Sequence, residues 1–146
     1  MILQIALGTG ILLINVMIMA MAAFLLEVSF RRAHPWMIAP PQRPKLLLLL
    51  IGVCLWVLAV VTSGVWIWAL ALRGLGAFQS LESAVYFSLV AFTTLGLTDV
   101  LAPREWRILS VMAAVNGVLS FGLLTALLVE ALRQVRLTQL ETRHHE

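Results

Sequence analysis

The chain has 146 residues, of which 62% are apolar and 12% are charged, and its mean hydropathy is +1.01. An average soluble domain is roughly half apolar and a quarter charged, so this composition excludes an ordinary soluble globule and also a disordered chain. A disulfide-stapled scaffold is excluded because Cys54 is the single cysteine, and we expect it to be a buried, inert thiol. We predict an integral membrane protein with little chain left for a soluble catalytic domain.

The first apolar run, over residues 2–26, contains no charged residue. As a helix it is about 37 Å long, enough to cross a hydrocarbon core of about 30 Å with some tilt. It therefore predicts an additional N-terminal transmembrane helix over residues 1–26, in which Asn15 is expected to join helices rather than to form a transport site. A cleaved signal peptide is the alternative, but the run lacks a basic n-region and is longer than an h-region.

A polar segment over residues 27–45 follows the first span. It contains Pro35, Pro40, Pro41 and Pro44. Because proline lacks the backbone N–H that a helix interior needs, we predict a loop here rather than a continuous helix.

Two further spans are predicted. The run over residues 46–72 is uncharged and ends in tryptophans and Arg73, which are typical anchors at a headgroup boundary. The last span is predicted over residues 106–132, with a tail over residues 133–146 whose first part continues the helix.

Lysine and arginine counts predict the orientation of the spans. The loop at 27–45 carries four such residues and the tail three, whereas the segment between the second and third spans carries three. The loop and the tail are therefore expected in the cytoplasm and the N-terminus outside, in a multi-pass protein of the cell membrane. This topogenic role accounts for the basic residues, so we predict no nucleic-acid binding.

The segment between the second and third spans contains a short apolar stretch, residues 84–92, that is too short to cross a bilayer and too apolar for a solvated loop. It predicts a re-entrant half-helix over residues 80–92. Ser80 is placed to cap its N-terminus, and Glu82 is in the first turn, where the helix dipole favours a carboxylate. An ordinary exterior loop is the alternative.

A loop over residues 93–99 follows this half-helix, and here the sequence resembles a known family. The run from Thr94 to Asp99 is similar to the selectivity-filter signature Thr-Val-Gly-Tyr-Gly-Asp of tetrameric potassium channels. Residues 83–88 resemble the pore helix of that family, and the last span, with Asn116 and Gly117, resembles its inner helix. The resemblance covers residues 46–132, in the family's order of outer helix, pore helix, filter and inner helix.

The resemblance implies a fold, a partner and a site. The first span has no counterpart in the minimal two-helix pore of that family. With this additional span, the expected fold is an all-α integral membrane protein with three transmembrane helices and a re-entrant pore helix and filter loop, and the partner is three further copies in a homotetramer within a lipid bilayer. The permeant ion is K⁺ or another monovalent cation such as Na⁺, with no other metal and no cofactor. The filter residues that the resemblance implies are Thr94, Leu95, Gly96, Leu97, Thr98 and Asp99.

Two positions depart from the family signature. Leu97 stands where the family usually has tyrosine, and Thr98 replaces the second glycine. If that position requires a positive φ, a β-branched residue there is strained by about 1–3 kcal/mol. The departures make cation conduction a firmer expectation than potassium selectivity.

The polar and small residues of the last span have two interpretations each. Asn116 and Ser120 share one helix face, where they either line a water-filled cavity below the filter or form hydrogen bonds between helices. Gly117 is either a gating hinge or a site of close helix packing.

Three functions are compatible with the sequence. The first is a passive potassium or monovalent-cation channel, and the second is a channel-fold protein that is non-selective or non-conducting and acts as a scaffold or modulatory subunit. The third is a small helical assembly factor or transporter in which the filter-like string is fortuitous. No enzyme is predicted, because the sequence shows no nucleophile with its base and no cluster of metal ligands.

Overall fold

The computed structural model of the chain describes residues 2–38, 42–96 and 102–143, with side chains at 2–32, 47–96 and 102–133. Its elements in chain order are α1 (Ile2–Ile38), α2 (Gln42–Gly74), α3 (Leu81–Phe92), a short 3₁₀ turn (Arg104–Trp106) and α4 (Arg107–Arg143). No strand occurs in these ranges. The all-helical class is confirmed, with one short helix between the second and third long helices.

The three long helices each contain a segment that is long and apolar enough to cross a membrane: Ile2–Arg32, Leu47–Gly74 and Arg104–Arg133. Within their most hydrophobic windows only 17%, 22% and 28% of the residues, respectively, are buried inside the chain. Water does not solvate apolar surface of this extent favourably, so lipid or further protein must cover it. The chain is therefore a multi-pass membrane protein.

The prediction of a loop over residues 27–45 is wrong for residues 27–38, which continue α1, and for residues 42–45, which begin α2. Residues 39–41 lie outside the described residues. Arg31 forms an ion pair of 2.8 Å with Glu27 one turn earlier, an arrangement that supports a helix. Pro35 lies only one turn before the end of α1, so few backbone hydrogen bonds follow it. Pro44 lies in the first turn of α2, where the backbone N–H groups have no helical partner in any case.

The prediction of a buried Cys54 is also wrong, because Cys54 is exposed on the chain. The sequence marked α2 as apolar throughout and so did not reveal which of its faces packs inward. The buried face of α2 instead carries Trp68, Ala69 and Leu72, which are fully buried.

The short helix α3 packs against both α2 and α4, whereas α1 packs against α4 and α2. The main core lies around α3 and combines Trp68 and Leu72 of α2 with Phe92 of α3 and Leu109 of α4. A second, smaller cluster joins Phe30, Val53 and Ala131 of the three long helices. The core thus lies against the buried face of the short helix, which includes its last residue, Phe92.

Candidate functional site

The start of α3 is built as the sequence predicts. Ser80 has an extended backbone, with φ −113° and ψ 147°, and its hydroxyl oxygen accepts a hydrogen bond of 3.0 Å from the backbone N–H of Ser83. Glu82 lies in the first turn and is exposed. The connection from α2 is held by Arg73, whose guanidinium donates to the carbonyl oxygens of Phe78 and Gln79. The N-terminal end of the half-helix is therefore both capped and tethered.

Two backbone hydrogen bonds, one nested inside the other, close the C-terminal end of α3. The N–H of Thr94 donates to the carbonyl of Ala91 at 3.1 Å, and the N–H of Leu95 donates to the carbonyl of Val90 at 3.3 Å. This pattern is the Schellman motif, in which the residue after the C-cap takes a left-handed conformation. Thr94 is that residue, with φ +56°.

Thr94 occupies a position where glycine is usual. A left-handed conformation costs an L-residue about 1–2 kcal/mol, and a β-branched side chain makes it a genuine outlier. Its hydroxyl donates to the carbonyl of Thr93 at 2.7 Å. Gly96, two residues later, also has a positive φ, +65°, which costs glycine nothing. The sequence predicts a role for Thr94 in the filter but carries no signal for the strain of its backbone.

Thr93, Thr94, Leu95 and Gly96 are all exposed on the chain, and Leu95 retains 62% of its accessible surface. These four residues follow the last helical residue of α3 in an irregular turn, and they are uncovered on the chain although α3 itself packs against α2 and α4. Leu97, Thr98 and Asp99 lie outside the described residues, so their predicted roles stay predictions.

Phe92, the last residue of α3, is 1% exposed and is held between two glycines of the long helices. A Cβ atom built on Gly117 of α4 would lie 2.6 Å from the Cα atom and 2.8 Å from the carbonyl carbon of Phe92. A Cβ atom built on Gly64 of α2 would lie 3.1 Å from Cζ of the same ring. Gly117 thus permits a close approach of backbone to backbone, as the packing interpretation expects, and its hinge role stays a prediction.

The other two predicted residues of α4, Asn116 and Ser120, are buried against the rest of the chain, at 0% and 4% exposure. The hydroxyl of Ser120 donates to the carbonyl of Asn116 at 2.7 Å within the same helix. Neither amide atom of Asn116 has a hydrogen-bond partner among the described residues. Its burial is typical of a packing residue, and its unpaired amide is typical of a side chain that binds a buried water.

The sequence did not predict that Asn15 lies close to this site. Asn15 of α1 is 3% exposed, as expected of a residue that joins helices, and its Oδ1 atom would lie 3.0 Å from a Cβ atom on Gly64. It therefore reaches the same glycine as the ring of Phe92. The spacing of apolar residues could not reveal this contact, since it joins α1 and α2 across the fold.

A family model described as "Ion channel" matches residues 55–134, which include most of α2, all of α3, the exposed turn and α4 as far as the membrane-spanning segment extends. No curated protein and no solved structure matches the chain significantly. The matched range exceeds half of the sequence and contains the capped half-helix between two spans, so the chain belongs to this ion channel family.

Proposed function

We propose that the chain forms a passive channel for potassium or other monovalent cations, in which four copies surround one ion pathway. The residues that line it are Thr94, Leu95, Gly96, Leu97, Thr98 and Asp99. Transport by an ion channel is supported by the family, and the ion, the number of copies and the lining residues are the proposal.

One observation carries this proposal, namely the exposed non-helical backbone at residues 93–96. Irregular backbone at membrane depth is tolerated only where protein buries it or where it lines a water-filled cavity. Three spans cannot enclose such a cavity, so several copies must meet around it, and closed cyclic symmetry is the usual arrangement. The resemblance to tetrameric potassium channels gives the number four.

The chemistry of this backbone suits a cation. The C-terminal end of a helix carries partial negative charge, and α3 ends at Phe92, directly before the exposed turn. The hydroxyl of Thr94 donates its hydrogen bond to the carbonyl of Thr93. The lone pairs of the hydroxyl oxygen therefore stay available to coordinate a cation. Rings of carbonyl and hydroxyl oxygens from several copies can replace the hydration shell of a cation.

Strain at Thr94 supports a functional role for this turn. A β-branched residue in a left-handed conformation persists only where the surrounding structure holds it, and such outliers cluster at functional sites. In this proposal the Thr94 hydroxyls of the several copies form a ring of oxygen ligands, which glycine at this position could not supply.

The remaining parts of the proposal follow from the sequence. Asp99 at the outer mouth would raise the local cation concentration, and the loop after α1 and the tail after α4 would lie in the cytoplasm of a cell-membrane protein. The family gives no indication of an enzyme, and ions would move down their gradient.

The test is ion flux through the purified full chain in liposomes, with potassium compared with sodium. We expect flux of potassium that depends on protein and exceeds that of sodium. Equal fluxes would support a cation channel without potassium selectivity, and the absence of any flux from well-folded tetramers would contradict the channel.

A non-conducting channel-fold protein that serves as a scaffold or modulatory subunit is the second candidate. Leu97 and Thr98 favour it, because both depart from the family signature. Tetramers without flux in the same liposomes would support this function, whereas a monomer in detergent and lipid would favour an assembly factor.

A further inference from the structure

The ring of Phe92 fixes the direction in which the chain leaves α3. Phe92 immediately precedes the exposed turn, and its N–H, carbonyl and ring are all enclosed by the chain. Gly117 of α4 lies against its backbone, and Gly64 of α2 lies against the edge of its ring. A displacement of this ring would therefore move residues 93–96.

The helix α1 reaches the same glycine, Gly64, through Asn15. The Oδ1 atom of Asn15 and the Cζ and Cε1 atoms of Phe92 lie 3.0, 3.1 and 3.3 Å from the same point, the position that a Cβ atom on Gly64 would take. The side chain of Asn15 is held in place by its own helix, since its Nδ2 atom donates to the carbonyl of Ile11 at 3.2 Å. Asn15, Gly64 and Phe92 thus form a notch, by which we mean the space beside the Gly64 Cα atom that the other two side chains fill.

The notch lies partly outside the part of the chain that the family model matches, because α1 ends before residue 55. Four helices meet near it: Asn15 comes from α1, Gly64 from α2, Phe92 from α3 and Gly117 from α4. Protein interiors are packed closely enough to transmit a displacement of a few tenths of an ångström. Functional geometry is sensitive to errors of about 0.5 Å, so such a displacement would matter at an ion site.

We propose that Asn15 is a positioning residue for the ion pathway: it fills the notch at Gly64, holds the ring of Phe92 and thereby fixes the backbone of residues 93–96. This inference rests on the proposed function in assigning those residues to the pathway. It gives α1 a role in permeation without assigning any residue of α1 to the lining of the pathway.

A double-mutant cycle tests this assignment. Asn15→Ala empties part of the notch, whereas Gly64→Ala adds a methyl group that crowds both neighbours. In the combined variant the new methyl group occupies the space vacated by Asn15, so the two changes are expected to be non-additive. Gly10→Ala in α1 and Gly52→Ala in α2 are matched controls, because a Cβ atom at either glycine has no heavy atom from another part of the described chain within 4 Å.

Two measurements are made on the full chain in liposomes. Hydrogen exchange of the backbone amides at residues 93–96 reports the order of the turn, and the ratio of potassium to sodium flux reports the pathway. We expect each single variant to raise the exchange rate by about tenfold and to lower the flux ratio, the double variant to recover part of both, and the controls to match the unmodified chain.

The two proposals fail in different ways. Unchanged exchange at residues 93–96 in both single variants, or strictly additive effects, would overturn the role of Asn15 even if the channel conducts. If the unmodified chain carries no ions, the proposed function fails, while exchange still decides whether Asn15 orders the turn. A general rise in exchange across α2 and α4 would indicate loss of folding and would also overturn the positioning role.

Discussion

Thr94 combines a hydroxyl that could bind a cation with a left-handed backbone that is unfavourable for threonine. Its neighbour Thr93 has φ −80° and ψ −3°, in the ordinary right-handed region, and bonds through its hydroxyl to the carbonyl of Leu89 at 2.9 Å. Thr94 has φ +56°. The two threonines are adjacent, but one has a right-handed backbone and the other a left-handed backbone. The same substitution to glycine should therefore have opposite effects on stability at the two positions.

We expect Thr94→Gly to raise the thermal stability of the assembly and Thr93→Gly to lower it. Glycine at position 94 relieves about 1–2 kcal/mol of left-handed strain, offset in part by about 0.4–1 kcal/mol from greater freedom of the unfolded chain. Glycine at position 93 relieves no backbone strain, and it removes the hydrogen bonds that the Thr93 hydroxyl donates. Thermal unfolding in detergent measures both variants, and two destabilised variants would contradict the strain at Thr94.

At the scale of elements, α3 is a short helix that depends on its neighbours for its position. Its N-terminus is fixed by the cap at Ser80 and the tether from Arg73, and its C-terminus by the contact with Gly117. Isolated helices of about 12 residues are marginal even in favourable sequences, so packing provides most of its stability. The position of α3 therefore depends on the two glycines that contact Phe92, although these glycines belong to α2 and α4.

We expect Gly117→Ala to destabilise the chain by about 1–3 kcal/mol, because the new methyl group would overlap backbone atoms of Phe92 that cannot move aside. Gly52→Ala in α2 is the control, since a Cβ atom there has no heavy atom from another part of the described chain within 4 Å and alanine favours a helix by up to about 1 kcal/mol. Thermal unfolding of the two variants gives the comparison. Equal melting temperatures would show that α3 does not depend on this contact.

At the scale of the whole molecule, the chain leaves one face of α4 uncovered. Six of the exposed residues recur every three or four positions and so form one line, the α4 stripe: Val111, Val115, Val118, Gly122, Thr125 and Val129. The opposite face carries buried residues such as Leu109 and Asn116. In the proposed tetramer this stripe faces the other copies and the central axis.

We expect a cysteine in the α4 stripe to cross-link copies of the chain. In a Cys54→Ser background, Val118→Cys treated with a short bifunctional thiol reagent in lipid should give products up to four chains, resolved by denaturing electrophoresis. Ala113→Cys is the control, because that position is fully buried within the chain. Monomers from both variants, with the Val118→Cys thiol shown to be modified, would contradict the tetramer.

Much of the fold follows from local properties of the sequence. Long uncharged runs have one stable form in a bilayer, so α1, α2 and α4 could be predicted from length and hydropathy. The start of α3 could be predicted as well, because a serine before an apolar run and a carboxylate in the first turn act through neighbouring backbone groups. The end of α1 could not, since a proline near the last turn removes too few hydrogen bonds to end a helix there.

The sequence by itself therefore determined that this is a helical membrane protein with a capped half-helix before a filter-like string, because each of these depends on contacts within a few residues. Only the tertiary structure decided which faces are buried, as Cys54 and Asn116 illustrate, because helices that are apolar on all sides carry no periodic signal for an inward face. It also decided that Asn15, Gly64, Phe92 and Gly117 meet. Those residues are far apart in the chain, and their contact depends on how four helices pack together.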